Sequence, residues 1–345
     1  RAYAMFLLHR AKNLRQDFAL IRVKNKSNGV FHPKVSLFLG DKQALALVGS
    51  GNLTYSGMSH NKELWGAFCA DDKNAEEAFI IKNVWHYLSG IIRSSNSKIA
   101  IQQLEWCKIY SAAIRDFESI ESHQYSEFKF IATTSEKSLF DKVKEVVFGK
   151  VKTIKIIAPF YDMEGSLIST LRSTFNPQKI ICAIDESYGY IPNKIKDVGN
   201  INFLHWHEIF ESENQFELSQ KLHAKAIQFE TSNGTFLVFG SANATSAAFG
   251  LNTQCFNDEA NIIIHSHKED FFKKIGIDFN KQCVKNIDDF QTATKYSIRS
   301  VNKTFQTHIT LCERHLNDKL YISFDEIVAG VKIRLYLDNE HRDFD

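Results

Sequence analysis

The sequence predicts a mixed α/β protein with two lobes, in which two sheets flanked by helices are related by a pseudo-twofold axis. Short apolar segments alternate with stretches of helical periodicity along most of the 345 residues. One polar pattern occurs twice, 191 residues apart, and each copy follows segments that are typical of strands. A chain of this length is too long for one small core, so two lobes are expected.

The composition is that of an ordinary globular protein, with 44% hydrophobic residues, 24% charged residues and a net charge of +2. This small charge excludes the strongly basic class, so any nucleic-acid contact must come from a local patch. The six cysteines form no Cys-x-x-Cys pair, which favours a reducing cytoplasm. No apolar run approaches the ~20 residues that span a bilayer. No signal peptide is recognised at the start of the sequence. Because the sequence opens on Arg1, with Met5 inside, we expect it to begin within a longer polypeptide.

The elements of the first half alternate between strands and turns. The predicted strands are residues 17–24, 30–39, 44–48 and 64–69. His32 and Lys34 would then lie two apart on one strand, with their side chains on the same face. Helical periodicity predicts a connector of three helices, at residues 74–93, 99–117 and 138–148.

The second half has a clearer α/β rhythm. The predicted strands are residues 153–158, 179–184, 201–205, 222–230, 235–239 and 260–264, with a helix at 165–175. This βαβ spacing indicates parallel strands joined by a crossover helix. The residues from about 290 onward are β-rich. We therefore divide the chain into an N-terminally incomplete first half with its helical connector (1–148), a second half (149–285) and a β-rich C-terminal extension (286–345).

The repeated pattern carries most of the functional information. The first copy comprises His32, Lys34, Ser50, Asn52 and Glu63, and the second comprises His223, Lys225, Ser241, Asn243 and Glu259. In both copies the histidine precedes the serine by 18 residues and the asparagine by 20. The serines lie in Gly-Ser turns without a Gly-x-Ser-x-Gly elbow, so we interpret them as hydrogen-bonding turn residues and not as nucleophiles.

These residue types suit phosphate chemistry. A neutral imidazole can attack phosphorus, and a second imidazole can protonate the leaving oxygen and then activate water. Lysines, asparagine amides and backbone N–H groups can stabilise the non-bridging oxygens. A glutamate can accept from a histidine Nδ1–H and leave Nε2 reactive. Two such half-sites predict one phosphate site that requires no metal or other cofactor.

The doubled pattern resembles the phospholipase D superfamily, whose usual motif is His-x-Lys-x4-Asp, then Gly-Ser-x-Asn, then a supporting acid. The resemblance covers roughly residues 17–70 and 150–265 and implies a bilobal phospholipase D-like fold. The aspartate is the departure, because its place holds Leu39 in the first copy, with Asp41 two residues later, and Glu230 in the second. This departure argues against the lipase branch. The resemblance implies His32 as the nucleophile and His223 as the acid, and the near-symmetry of the copies leaves the reverse open.

Three functions are compatible with these sequence features. The first is a metal-independent phosphodiesterase that cleaves nucleic acid, DNA above all, through a phosphohistidine. The others are a phospholipase or phosphatidyl transferase, and a catalytically silent scaffold subunit. The complete residue set weighs against the scaffold, and the lack of an amphipathic membrane-binding stretch weighs against the lipase. We therefore predict a cytoplasmic nuclease.

The resemblance also implies a setting for this nuclease. Its nuclease-like branch resembles restriction and phage-defence enzymes, which implies a helicase or motor ATPase as partner and no membrane. Both half-sites lie in one chain, so we expect no intertwined dimer to be needed. Two His-x-His pairs, His205 with His207 and His265 with His267, have spacings that a metal could use, but a structural role is the commoner one.

Overall fold

The computed structural model describes residues 27–120, 127–134, 136–185, 199–210, 220–251 and 254–280, a few single residues between them, and four C-terminal strands. It divides into two compact units, one formed by Ile21–Tyr296 and the other by Arg1–Leu20 with Ser297–Asp345.

The strands of the larger unit are β1 (Val35–Leu39), β2 (Ala44–Gly49), β3 (Asn61–Lys62), β4 (Trp65–Ala70), β5 (Phe128–Ala132), β6 (Val151–Ile157), β7 (Lys179–Ile184), β8 (Ile201–His205), β9 (Lys221–Leu222), β10 (Ala226–Thr231), β11 (Gly234–Gly240) and β12 (Ala260–Ser266). A π-helix spans Ser56–His60, and the α-helices are α1 (Glu76–Ser94), α2 (Lys98–Tyr110), α3 (Ala112–Glu118), α4 (Leu139–Val146), α5 (Ser166–Phe175), α6 (Trp206–Ile209), α7 (Ser246–Phe249) and α8 (Phe271–Lys274). In the smaller unit, β13 (Cys312–Leu316) pairs with β14 (Lys319–Ser323), and β15 (Ile333–Leu337) pairs with β16 (Glu340–Phe344).

The larger unit contains two main sheets of unequal size and the short parallel pair of β3 with β9, and together with the helices they confirm the mixed α/β class. One has three strands in the order β1-β2-β4, and the other has seven in the order β5-β12-β11-β10-β6-β7-β8. Strands β6, β7 and β8 are parallel, with α5 between the first two, as the βαβ spacing predicts. The antiparallel run β10-β11-β12 has the same connectivity as β1-β2-β4, so the pseudo-twofold relation covers three strands of each sheet.

The seven-stranded sheet is buried on both faces. Successive residues of β11 alternate between two apolar clusters, with Phe236 and Val238 in one and Leu237 and Phe239 in the other. The first cluster includes α4 and α5, and the second includes α1 and the three-stranded sheet. This packing places the Gly-Ser turns that follow β2 and β11 at the junction of the two sheets, where β2 contacts both β11 and β12.

Two predicted strands are wrong at the residues that matter most. The strand predicted over 30–39 begins only at Val35, because Pro33 has no N–H to donate and the backbone around His32 pairs with Asp258 instead. The strand predicted over 222–230 is likewise interrupted at residues 223–225. The histidine and lysine of each pattern therefore lie in segments that enter a strand and not on the strand itself.

Other differences are smaller. The helix predicted over 99–117 breaks at Ser111, whose extended backbone and capping side chain start α3 and whose hydroxyl donates to the carbonyl of Gly40. Strand β5, which is not among the predicted elements, adds to the edge of the large sheet beside β12. The strand predicted over 17–24 lies outside the described residues apart from residues 19, 21 and 23.

Candidate active site

The two halves exchange backbone contacts at the candidate site. The segment that carries His32 pairs with the second half, since the His32 N–H donates to the carbonyl of Asp258 at 3.0 Å. The segment that carries His223 pairs with the first half, because β9 runs parallel to β3 and the His223 N–H donates to the carbonyl of Lys62 at 3.0 Å. Each histidine is therefore positioned by the half of the chain to which it does not belong.

The side chains cross in the same way. His32 Nδ1 lies 3.0 Å from Glu259 Oε2, and His223 Nδ1 lies 2.6 Å from Glu63 Oε1. A carboxylate only accepts hydrogen bonds, so each Nδ1 carries a proton and the lone pair of a neutral ring is on Nε2. Both glutamates are buried while both imidazoles are partly exposed. The site thus has two half-exposed rings, each with a reactive nitrogen directed away from its supporting carboxylate.

The serines of the Gly-Ser turns hold the glutamates. Ser50 Oγ donates to Glu63 Oε2 at 2.5 Å and accepts from the Leu64 N–H at 2.9 Å. In the second half Ser241 Oγ donates to Glu259 Oε2 and accepts from the Ala260 N–H at 3.0 Å. The backbone at this second turn requires glycine, because Gly240 has φ +151° and an added Cβ would lie 2.4 Å from the carbonyl oxygen of residue 260.

Two asparagines that sequence reasoning missed complete the support. Asn61 Nδ2 donates to Glu63 Oε1 at 3.2 Å, and Asn257 Nδ2 donates to Glu259 Oε1 at 3.1 Å. Each lies two residues before its glutamate, so a repeated Asn-x-Glu was the signal that could have found them. Burial alone would raise the pKa of Glu63, but hydrogen bonds from His223, Ser50 and Asn61 and the charge of His223 lower it overall.

The lysines lie beneath the histidines. Lys34 Nζ donates to the carbonyl of His32 at 2.7 Å, and Lys225 Nζ donates to the carbonyl of His223 at 2.6 Å. Both ammonium groups are buried, and burial lowers the pKa of Lys34 to about 8 and that of Lys225 to about 7. The charges of Glu63 and Glu259 act on both lysines in the opposite direction. All four groups therefore share one electrostatic environment.

The two asparagines of the pattern differ in their surroundings. Asn52 is exposed, and its carbonyl accepts from the Thr54 N–H at 2.8 Å. Asn243 is half-buried, and its carbonyl accepts from the Thr245 N–H at 2.7 Å. The buried Oδ1 of Asn243 has no hydrogen-bond partner among the described residues.

Glu259 has one support that Glu63 lacks among the described residues. Thr133, at the end of β5, donates its N–H to the carbonyl of Glu259 at 2.9 Å. Its Oγ1 accepts from the N–H of Glu259 at 3.2 Å. Strand β4 carries no such neighbour in the described structure, because it forms the edge of its sheet. Sequence reasoning missed Thr133 because β5 was not predicted.

The remaining candidates lie outside this set. Glu230, in the place of the superfamily's aspartate, forms an ion pair with buried Lys155 at 2.5 Å on the neighbouring strand. His205 ends β8 whereas His207 belongs to α6, so the two do not lie on one strand. His265 and His267 both contact the carbonyl of Asn233. Among the described residues, no group of three or more His, Cys, Asp or Glu side chains could hold a metal, and no helix is long and apolar enough to cross a membrane.

No family model and no curated protein matches the chain. Among solved structures, it is similar to yeast tyrosyl-DNA phosphodiesterase at 12% identity and a TM-score of 0.43, over 76% of this chain and 74% of that one. It is also similar to polyphosphate kinase from Porphyromonas gingivalis at 10% identity and a TM-score of 0.43, over 79% of this chain and 37% of that one.

Proposed function

We propose that the chain is a metal-independent phosphodiesterase that cleaves nucleic acid, DNA in particular, through a phosphohistidine intermediate. The observation that carries the proposal is the pair of crossed contacts, His32 with Glu259 and His223 with Glu63. Each leaves one imidazole Nε2 for chemistry above a buried lysine, and a single chain supplies both. A scaffold subunit has no need of two buried carboxylates aimed at partly exposed histidines.

In the first step, His32 Nε2 attacks phosphorus as a P–N bond forms and the bond to the leaving oxygen breaks. That oxygen takes the proton from Nε2 of His223, whose imidazolium Glu63 stabilises. In the second step, water gives a proton back to His223 and attacks phosphorus, the P–N bond breaks, and a phosphate monoester leaves. The assignment of His32 as nucleophile follows the family resemblance, and exchanged roles are the alternative.

The lysines supply the positive charge that a phosphodiester needs. A phosphate that enters beside Lys34 and Lys225 adds an anion to their environment and so raises both pKa values, which favours the ammonium forms. Together with the amides of Asn52 and Asn243, these groups can stabilise the charge of the transition state. We therefore expect activity to persist in excess chelator.

Nucleic acid is preferred over lipid because the motif departs from the stricter lipase form at Leu39 and Glu230. The deciding experiment incubates the protein with labelled single- and double-stranded DNA, RNA and phosphatidylcholine in excess chelator. We expect cut DNA from the wild type and none from His32→Ala or His223→Ala. His86→Ala, an exposed histidine on α1, is the matched control and should retain activity. Cleavage of phosphatidylcholine alone, or a strict requirement for a divalent metal, would contradict the proposal.

Acid-labile, base-stable labelling of the protein identifies the nucleophile. With a nucleotide nitrophenyl ester radiolabelled at the scissile phosphate, whose leaving group needs no proton from His223, the His223→Ala variant should accumulate label on His32. Label on His223 in the His32→Ala variant would assign the reverse roles.

A role in restriction or phage defence, with a helicase or motor ATPase partner in the cytoplasm, stays a prediction from the family resemblance. Co-purification from the native host, with the captured ATPase identified by mass spectrometry, tests it.

A further inference from the structure

The segment that follows Asn52 has a structural twin in the second half. In the first copy the Met58 N–H donates to the Thr54 carbonyl at 3.0 Å, and in the second the Phe249 N–H donates to the Thr245 carbonyl at 3.1 Å. The threonine hydroxyls cap the two turns equally, each accepting a backbone N–H at 3.2 Å. The residues of the two segments therefore correspond one to one, at an offset of 191 in the sequence.

The twins differ in what they expose. Phe249 is 2% exposed within the apolar cluster that includes α4 and α5, whereas its counterpart Met58 is 64% exposed. Ser246 donates its N–H and its hydroxyl to Asp162. Its counterpart in the first half is Tyr55, which is 77% exposed. A segment that packs into the core in one half thus presents an aromatic ring to solvent in the other.

This exposed segment, residues 54–60, contacts both halves of the candidate active site. Gly57 packs against Asn52 so closely that an added Cβ would lie 2.2 Å from the Asn52 carbonyl oxygen. At its far end, the carbonyl of Ser59 accepts from Gln220 Nε2 at 3.1 Å, three residues before His223. Tyr55 itself is three residues from Asn52, a span of at most about 10 Å.

The ring of Tyr55 is held in place. Its centroid lies 4.6 Å from that of His60 at an interplanar angle of 45°. Ser59 Oγ donates to the carbonyl of Tyr55 at 2.7 Å and lies 2.9 Å from His60 Nδ1. The aromatic face is therefore presented in a fixed position at the edge of the site, which lowers the entropic cost of stacking a ligand on it.

We propose that Tyr55, backed by His60, is a stacking platform for an unpaired base next to the scissile phosphate, so that the substrate is single-stranded nucleic acid. The proposal rests on the proposed function. An aromatic face binds any base, because every base has a π-face. Bases within a duplex are already stacked on their neighbours and cannot reach it without melting. The platform therefore selects strand type and leaves sequence preference weak.

The test compares an ordinary single-stranded oligonucleotide with one of the same length whose residues near the cut are abasic. Removing an aromatic platform weakens binding of a base by about 5-fold to 150-fold. We expect Tyr55→Ala to lower kcat/KM on the ordinary strand by about 5-fold to 20-fold and to leave cleavage of the abasic strand unchanged. Tyr55→Phe keeps the ring and should behave as wild type. The matched control is Tyr110→Ala, because Tyr110 is 76% exposed on α2 outside the site.

The outcomes separate this proposal from the proposed function. If the wild type cuts neither strand, the phosphodiesterase assignment fails. If it cuts both and Tyr55→Ala slows both equally, or neither, the platform is refuted. Faster cleavage of duplex than of single strand by the wild type would also overturn it. Loss of a bound protein in Tyr55→Ala, with unchanged cleavage, would make the segment a protein-docking surface instead.

Discussion

Glu63→Gln should disable His223, which belongs to the opposite half of the chain, and leave His32 with its own support. The bond between His223 Nδ1 and Glu63 Oε1 is 2.6 Å long and involves a buried carboxylate. A charge-assisted bond of this kind contributes about 1.5–3 kcal/mol, which corresponds to roughly 10-fold to 150-fold in rate. An amide that donates to Nδ1 also selects the wrong tautomer, which by itself can cost about 10⁴-fold. We therefore expect kcat to fall by about 10²-fold to 10⁴-fold.

Two assays locate the damage. In ¹⁵N-histidine NMR, Glu63→Gln should shift the tautomer signals of His223, and Glu259→Gln those of His32. In kinetics, a nitrophenyl ester of the nucleotide has a leaving group that needs no proton. Such a substrate should restore the first-turnover burst of nitrophenol in Glu63→Gln, which impairs the proposed acid, and not in Glu259→Gln, which impairs the proposed nucleophile. Release of the phosphate monoester still needs His223 as a base and should stay slow in Glu63→Gln.

Glu105→Gln provides the control, since that glutamate is an exposed partner of Arg93 on the surface. The reasoning fails if Glu63→Gln perturbs His32 and spares His223. It also fails if both glutamine variants keep wild-type kcat on an ordinary oligonucleotide.

Three further outcomes are expected. Burial lowers the pKa of Lys225 from 10.5 to about 7, so between these pH values the unfolded chain binds a proton that the native state does not. The free energy of unfolding should therefore rise with pH in this window. Urea titrations at several pH values should show a smaller slope for Lys225→Met. Thr133→Val removes the acceptor for the Glu259 N–H and should slow phosphohistidine formation in single-turnover assays, while Thr133→Ser should restore it; equal rates in the two variants would rule out a positioning role. Phe249→Ala should lower the free energy of unfolding by about 3–5 kcal/mol, against no more than about 0.5 kcal/mol for its exposed twin in Met58→Ala, as measured by chemical denaturation.

The sequence predicted the α/β class and most element positions because apolar periodicity reflects burial directly. Strands β7 and β8 coincide with the predicted residues 179–184 and 201–205, where nearly every side chain is buried. Prediction failed where a tertiary contact replaced a local one. Pro33 and the pairing with Asp258 delay the start of β1, and β5 pairs with β12, a strand that is distant in the chain.

The residues of the candidate site could be predicted from the sequence, but which glutamate bonds to which histidine could not. Equal spacings in two copies indicate that both copies serve the same chemistry, and they are silent on which glutamate serves which histidine. That choice depends on how β3 lies beside β9, a contact between residues 160 apart in the chain. Asn61 and Asn257 form a repeat that can be read from the sequence, whereas Thr133 has no counterpart beside Glu63 among the described residues and so gave no repeat to detect.

Because each histidine bonds to a glutamate from the other half of the chain, the candidate site is complete only when the two halves pack together. Within one half, His32 is placed near Ser50 and Asn52 by chain connectivity, yet its tautomer is set by Glu259 from the other half. The same holds for His223 and Glu63. If the lobes separate, each histidine loses its carboxylate, and each glutamate loses the bond that opposes its desolvation. Separation would therefore remove the support of the proposed nucleophile and of the proposed acid together, whereas substitution of one glutamate removes the support of one ring alone.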